Sequence, residues 1–127
     1  MDADVKGLNG ISERIIGCAQ RVSNTLGCGF LERVYENALA HELGKAGLAV
    51  AQQRRFVVVY DGVSVGDYIA DLVVEDQVIV ETKVVKVLED IHMAQCLNYL
   101  KATGLKLGLV VNFTTPRIAV RRVVNGL

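Results

Sequence analysis

Three charged residues interrupt two strongly apolar stretches in the middle of the sequence. Asp71 follows Tyr-Ile-Ala, and Glu81 and Lys83 end the run Val-Ile-Val-Glu-Thr-Lys, two positions apart and hence on one face of a strand. Carboxylate oxygens are hard ligands that suit Mg²⁺ or Mn²⁺, and such an ion activates water and neutralises charge on a phosphodiester. A neighbouring lysine orients the nucleophile or stabilises the transition state. The pattern predicts a catalytic metal site made of Asp71, Glu81 and Lys83.

The register of the hairpin between these stretches decides whether the two carboxylates meet. If residues 75–77 form a three-residue loop, Val74 pairs with Val78 and Asp71 lies opposite Glu81. Directly opposed residues have Cβ atoms about 5 Å apart. A loop one residue longer or shorter would shift the pairing. The alternative, in which both acids are solvated on an exposed sheet face with the lysine as ion-pair partner, is left open by spacing alone.

Eight elements are predicted to position these residues. Apolar residues recur at helical spacing over residues 11–26, 31–43 and 88–103. Valine-rich stretches separated by turn signals such as Asp61-Gly62 predict strands. The predicted strands cover residues 50–60, 63–74, 78–85, 106–112 and 117–124. The order α-α-β-β-β-α-β-β predicts a single domain over residues 1–127, of the α/β (α+β) class, with a mixed sheet flanked by helices.

A polar stripe lies on the third predicted helix. His92, Gln95 and Tyr99 recur at i, i+3 and i+7, so they share one helix face. Because the stripe follows the strand that carries the acid and the lysine, its residues are candidates for positioning substrate. The alternative is the solvated face of an amphipathic helix, and for His92 taken alone this alternative is favoured.

These motifs together resemble a known family. Asp71, Glu81-Thr-Lys83 and Gln95-x3-Tyr99 resemble the PD-(D/E)xK nuclease superfamily, in the branch fused to recombination helicases. The segment Gly29-Phe-Leu-Glu32-Arg-Val-Tyr35 matches the motif that names the GxxExxY family. The resemblance covers nearly the whole chain and is carried further by Tyr68–Asp71, Lys106–Leu109, Asn112-Phe113 and Arg122–Leu127. It implies a restriction-endonuclease-like core, Mg²⁺ or Mn²⁺ as cofactor, and nucleic acid as partner.

The resemblance also implies a role for the start of the second helix. In the superfamily an N-terminal helical acid often joins the metal site, which makes Glu32 a third candidate metal ligand and catalytic residue; stabilisation of the helix dipole is the alternative. Tyr35 either hydrogen-bonds a site carboxylate, as a substrate-positioning residue, or packs. Two positions depart from the family pattern. Thr82 replaces an aliphatic residue, and its side chain is expected to face away from Glu81 and Lys83, so that catalysis tolerates it; Ala70 rather than proline precedes the aspartate.

The composition and charge limit which kinds of binding partner and which cellular location are expected. Fourteen basic and fourteen acidic residues cancel, so an overall positive field that attracts nucleic acid is absent. Basic groups suited to phosphate contacts remain at Arg54, Arg55, Lys101, Lys106, Arg117, Arg121 and Arg122. The polar N-terminus and the lack of an apolar run of about 20 residues predict a cytoplasmic protein without membrane association. Three cysteines without a CxxC pair predict small buried residues in a reducing compartment, and the valine-rich strands leave homodimerisation open.

Three functions remain in competition. The first is an Mg²⁺-dependent nuclease acting on DNA, or on RNA, and the intact acidic and lysine positions favour it. The second is a non-catalytic module that keeps the nuclease fold for nucleic-acid binding or protein interaction, which the neutral charge and small size favour. The third is a metal-dependent hydrolase of a small phosphorylated molecule.

Overall fold

Three helices and five strands follow one another in the order predicted from the sequence. The structure is a computed structural model that describes residues 3–127, with side chains from residue 5 onward, so the first two residues of the predicted domain lie outside the described part. The helices are α1 (Ala3–Leu26), α2 (Glu32–Lys45) and α3 (Asp90–Thr103). The strands are β1 (Val50–Tyr60), β2 (Val63–Val74), β3 (Val78–Lys83), β4 (Leu107–Asn112) and β5 (Ala119–Val124).

The helix starts differ from the prediction by one residue at α2 and by more at α1 and α3. Helix α1 begins at Ala3, well before Ile11, because Leu8 extends the buried face of the helix by two turns upstream of Ile15. Helix α3 begins at Asp90, since Glu89 caps it: the Glu89 N–H donates to His92 Nδ1 at 2.9 Å, and the Glu89 side chain accepts from the N–H of His92. No helix within residues 3–127 has the length and apolarity that crossing a bilayer requires.

The five strands form one mixed sheet in the order β1-β2-β3-β4-β5. Neighbours are antiparallel except β3 and β4, which are parallel and joined through α3. Helices α1 and α2 cover one face of the sheet and α3 covers the other, so the core is divided into two layers. Cys18 and Cys96 are buried in these layers as expected, whereas Cys28 is exposed in the loop between α1 and α2.

The hairpin between β2 and β3 has the predicted register over its first three pairs. Val74 pairs with Val78, and the pairing continues to Leu72 and Val80. The loop 75–77 turns through a hydrogen bond from the Gln77 N–H to the Val74 carbonyl at 3.0 Å. The ladder then stops, so the direct pairing of Asp71 with Glu81 that the register predicts does not form.

The ladder stops because β1 and β2 both change face at this level. Leu72 packs under α1 and α2, whereas Ala70, two residues away on the same strand, packs under α3. Residues two apart in a regular strand share a face, so the alternation inverts at Asp71. On β1 the inversion falls at Gln53, whose φ is 53°. Asp71 therefore lies at the break between the two faces of the sheet.

Beyond this break β1 and β2 continue past β3 as a two-stranded ribbon. Its register shifts between Val58 and Val59, opposite Gly66, where the sequence predicts an irregular strand. The tip is the Asp61-Gly62 turn, in which both residues have positive φ, as a tight hairpin requires. The ribbon thus forms one wall beside the end of β3.

Candidate active site

A cleft of about 430 Å³ opens between α3 and the end of β3. Glu81 and Lys83 line it from the sheet, and His92, Gln95 and Tyr99 line it from the helix. The stripe on α3 and the acid–lysine pair, which the sequence places on separate elements, therefore face the same space.

Glu81 is the most deeply buried charged group of the cleft, with 8% of its surface exposed. The pKa of its carboxyl is raised to about 8, first by burial and then by the adjoining Asp71 carboxyl, through its charge and a shared hydrogen bond. The Tyr68 hydroxyl, which donates to Glu81 Oε1, and the Lys83 ammonium act in the opposite direction but are outweighed. Two adjoining carboxyl groups in an apolar sheet form a donor set that suits a hard divalent cation.

Asp71 is held from three sides at the break in β2. The Thr82 N–H and hydroxyl donate to its Oδ2 at 2.9 and 3.1 Å, and Gln53 Nε2 lies 3.5 Å from its Oδ1. Strand alternation directs the Thr82 side chain away from Glu81 and Lys83, but the same side chain contacts Asp71. The reason is the inversion of β2, which turns the Asp71 side chain toward the backbone of β3 instead of leaving it directly across from Glu81.

Glu32 reaches the same region from the N-terminus of α2. Its carboxylate accepts a hydrogen bond from the Val84 N–H and lies within electrostatic range of Lys83 and Asp71. The pKa of Glu32 is raised, because partial removal from water and the neighbouring Asp71 outweigh Lys83 and the Val84 N–H. Across the described residues, however, no three acidic, histidine or cysteine side chains converge tightly enough to form a complete metal-ligand set.

Lys83 is fixed through the backbone that surrounds it. The Phe113 N–H donates to the Lys83 carbonyl at 2.9 Å. The buried Asn112 side chain, on the neighbouring strand, donates to the Val85 carbonyl at 2.8 Å and accepts from the Val85 N–H at 3.1 Å. These hydrogen bonds fix the backbone where the chain leaves β3. The half-buried Lys83 side chain therefore extends into the cleft from a backbone that is held in place.

The sequence prediction missed Glu36 and Tyr68, two polar residues near Asp71. Glu36 lies one turn after Glu32 on α2 and is only 2% exposed. It accepts hydrogen bonds from Gln53 Nε2 at 2.8 Å and from Gln52 Nε2 at 2.6 Å. The i, i+4 spacing of the two glutamates was the available signal, but the spacing does not reveal that the second acid is buried against β1.

Tyr68 was also missed. Its ring stacks on Tyr99 with centroids 3.6 Å apart, and its hydroxyl donates to Glu81. Burial, followed by the charge of Glu81, raises the pKa of the phenol well above its usual range, so it stays a donor. Regular alternation along β2 places Tyr68 and Asp71 on opposite faces, and only the inversion brings both to one site.

Tyr35 does not reach the cleft, which corrects its assignment as a substrate-positioning residue. It is fully buried between α2 and the sheet, and its ring stacks on Phe113 at 4.8 Å. Its hydroxyl donates to the Gly27 carbonyl at 2.6 Å and accepts from the Phe30 N–H at 3.3 Å. Tyr35 therefore stabilises the loop between α1 and α2. This is the packing role that the sequence analysis gave as the alternative for this residue.

Helices on both faces of a mixed sheet, with an aspartate and a Glu-x-Lys on adjacent strands, define a restriction-endonuclease-like domain. A family model described as the PD-(D/E)XK nuclease superfamily matches residues 9–123, and the chain belongs to this superfamily. The resemblance noted in the sequence is confirmed at that level, and placement in the GxxExxY branch stays a prediction.

The fold is similar to that of a protein of known crystal structure. The crystal structure of a protein named SSO0001 is similar with a TM-score of 0.55 and 18% identity, over 76% of this chain and 51% of that one. The present chain thus spans about half the length of that protein, and the likeness concerns the fold. No curated protein gives a significant match.

Proposed function

We propose that this chain is a metal-dependent nuclease that hydrolyses phosphodiester bonds of DNA, with RNA as the alternative substrate. The observation that carries the proposal is the carboxyl pair of Asp71 and Glu81, of which Glu81 lines an open cleft together with Lys83 while Asp71 adjoins Glu81 from behind the lining. Such a pair is unfavourable in an apolar sheet unless a proton or a cation neutralises it. Asp71 and Glu81 would hold Mg²⁺ or Mn²⁺ with water in the remaining positions, and Glu32 would become a third ligand by moving closer to them than the described structure places it.

The surrounding side chains have distinct roles in this proposal. A bound divalent cation supplies charge neutralisation on the phosphodiester and lowers the pKa of a water. Lys83 orients the attacking water or stabilises the negative charge that develops in the transition state. Gln95 and Tyr99, with His92 beside them, bind and orient the substrate from α3.

A nucleic-acid substrate is supported by a basic residue at the level of the site. Glu81 pairs with Val110, and Val110 pairs with Arg121, so Arg121 lies on the same sheet face two strands away. At a strand spacing of about 4.8 Å this is roughly 10 Å from Glu81. An exposed arginine at that distance is suited to a phosphate flanking the scissile one. We also propose that the protein acts in the cytoplasm.

Calorimetric titration with Mn²⁺ tests the metal site. Asp71→Asn keeps one acceptor oxygen for the Thr82 N–H but removes the negative charge and the second acceptor, and we expect it to weaken Mn²⁺ binding at least about tenfold. Asp61→Asn, at the exposed tip of the ribbon, is the matched control and should bind like wild type. Failure of the wild type to bind Mn²⁺ at millimolar concentration would overturn the proposal.

Cleavage assays separate the candidate activities. Single-stranded, duplex and branched DNA and single-stranded RNA are incubated with Mn²⁺ and with wild type or Asp71→Asn, and only the wild type should cleave. Metal binding without cleavage of any of these substrates would instead support a non-catalytic nuclease-fold module, which the zero net charge favours.

A further inference from the structure

The backbone of β1 is strained at the residue that faces Asp71. Gln53 has φ of 53°, a left-handed conformation that L residues other than glycine rarely adopt. In the part of the chain that the structure describes, the other such residues are Asp61, Glu75 and Asp76, all in hairpin turns. Gln53 alone among them lies inside a strand, so no turn explains its conformation.

The strained conformation directs the Gln53 amide between two carboxylates. Its Nε2 lies 2.8 Å from Glu36 Oε1 and 3.5 Å from Asp71 Oδ1, one N–H for each acid. The Thr82 N–H holds the other Asp71 oxygen at 2.9 Å. Both oxygens of Asp71 are thus held by separate donors, and these contacts restrict the rotation of the carboxylate.

We infer that Gln53 is a positioning residue for Asp71, with Glu36 as the group that aims it. The inference rests on the proposed metal-dependent function and adds residues that do not touch metal or substrate themselves. Glu36 is buried on α2, so it links the orientation of Asp71 to the packing of the helical layer on the sheet. Backbone strain of this kind persists where the surrounding structure imposes it, and it concentrates at functional sites.

Gln52 provides a matched control on the same strand. Its Nε2 donates to the other oxygen of Glu36 at 2.6 Å and also to Asn37 Oδ1, but no contact joins it to Asp71. Gln52→Ala and Gln53→Ala therefore each remove one hydrogen bond from the buried Glu36. A merely structural role of Gln53 predicts equal effects of the two substitutions, whereas a positioning role predicts that only Gln53→Ala changes the metal site.

The test is calorimetric titration of Mn²⁺ into both variants and wild type. We expect Gln53→Ala to raise the Kd about 10- to 100-fold, as loss of a residue supporting a metal ligand does, and Gln52→Ala to leave it unchanged. In cleavage assays Gln53→Ala should lower kcat while the KM for nucleic acid stays constant, because the amide does not touch substrate. Equal Kd values for the two variants would overturn the positioning role while leaving the proposed function intact.

A second measurement uses the metal-free protein. Gln53→Gly and Gln53→Ala both lack the amide, but only alanine keeps a Cβ in the left-handed conformation. We expect the glycine variant to melt about 3–5 °C higher than the alanine variant. Equal melting temperatures of the two variants would show that the backbone at residue 53 is not strained and would contradict the inference. A wild type that binds no Mn²⁺ would overturn the proposed function and the positioning role together.

Discussion

Replacing Glu81 with glutamine should stabilise the metal-free protein and flatten the dependence of its stability on pH. The folded-state pKa of Glu81 is about 8, above the value of 4.5 for an unperturbed glutamate. The folded protein therefore binds this proton more tightly than the unfolded chain does. The associated stability is fully present below pH 4.5 and is lost as the pH rises from 4.5 to 8.

The size of the effect follows from the same values. Each pH unit in which only the unfolded carboxyl ionises removes about 1.4 kcal/mol, so the loss approaches about 5 kcal/mol by pH 8 and is about 3 kcal/mol at pH 7. This is a large part of the 5–15 kcal/mol that is typical for the free energy of unfolding of a domain. Glutamine cannot ionise and still accepts the hydrogen bond from the Tyr68 hydroxyl, so the variant escapes this loss.

Urea unfolding followed by circular dichroism in EDTA at pH 5, 7 and 9 measures the difference. The free energy of unfolding of Glu81→Gln should exceed that of wild type by an amount that grows with pH. Glu13→Gln, on the exposed side of α1, is the control and should track wild type. Parallel curves for wild type and Glu81→Gln from pH 5 to 9 would refute the assigned burial and charge coupling of Glu81.

Three further predictions follow from single contacts. Lys83→Met should lower kcat for cleavage about 10²- to 10³-fold without weakening Mn²⁺ binding, and unchanged kcat would exclude a catalytic role. Gly108→Ala places a methyl group 2.5 Å from Cys96 Sγ and should cost about 1–3 kcal/mol in urea unfolding, mostly recovered with Cys96→Ala; additive losses would contradict this contact. Tyr35→Phe loses the bond to the Gly27 carbonyl and should cost about 1 kcal/mol at unchanged Mn²⁺ affinity, whereas weaker Mn²⁺ binding would place Tyr35 at the site.

Local patterns in the sequence predict most of the architecture. Periodicity and turn residues depend on neighbours along the chain, so the order of elements and the register from Val74–Val78 to Leu72–Val80 follow from them. The stripe on α3 follows equally, because helical spacing alone decides which residues share a face. The motifs of the superfamily likewise point to the acids and the lysine from the sequence alone.

Only the tertiary structure decides how Asp71 meets the rest of the site. Its orientation depends on the inversion of β1 and β2. No local sequence pattern predicts this inversion, because glutamine at position 53 is not a residue type that favours positive φ. The burial of Glu36 and the contact of Tyr68 with Glu81 depend in turn on helices packing against both faces of the inverted sheet. Side-chain alternation is a local rule that holds only along a regular strand, so the sequence specifies the reactive groups and the packed layers decide how they face one another.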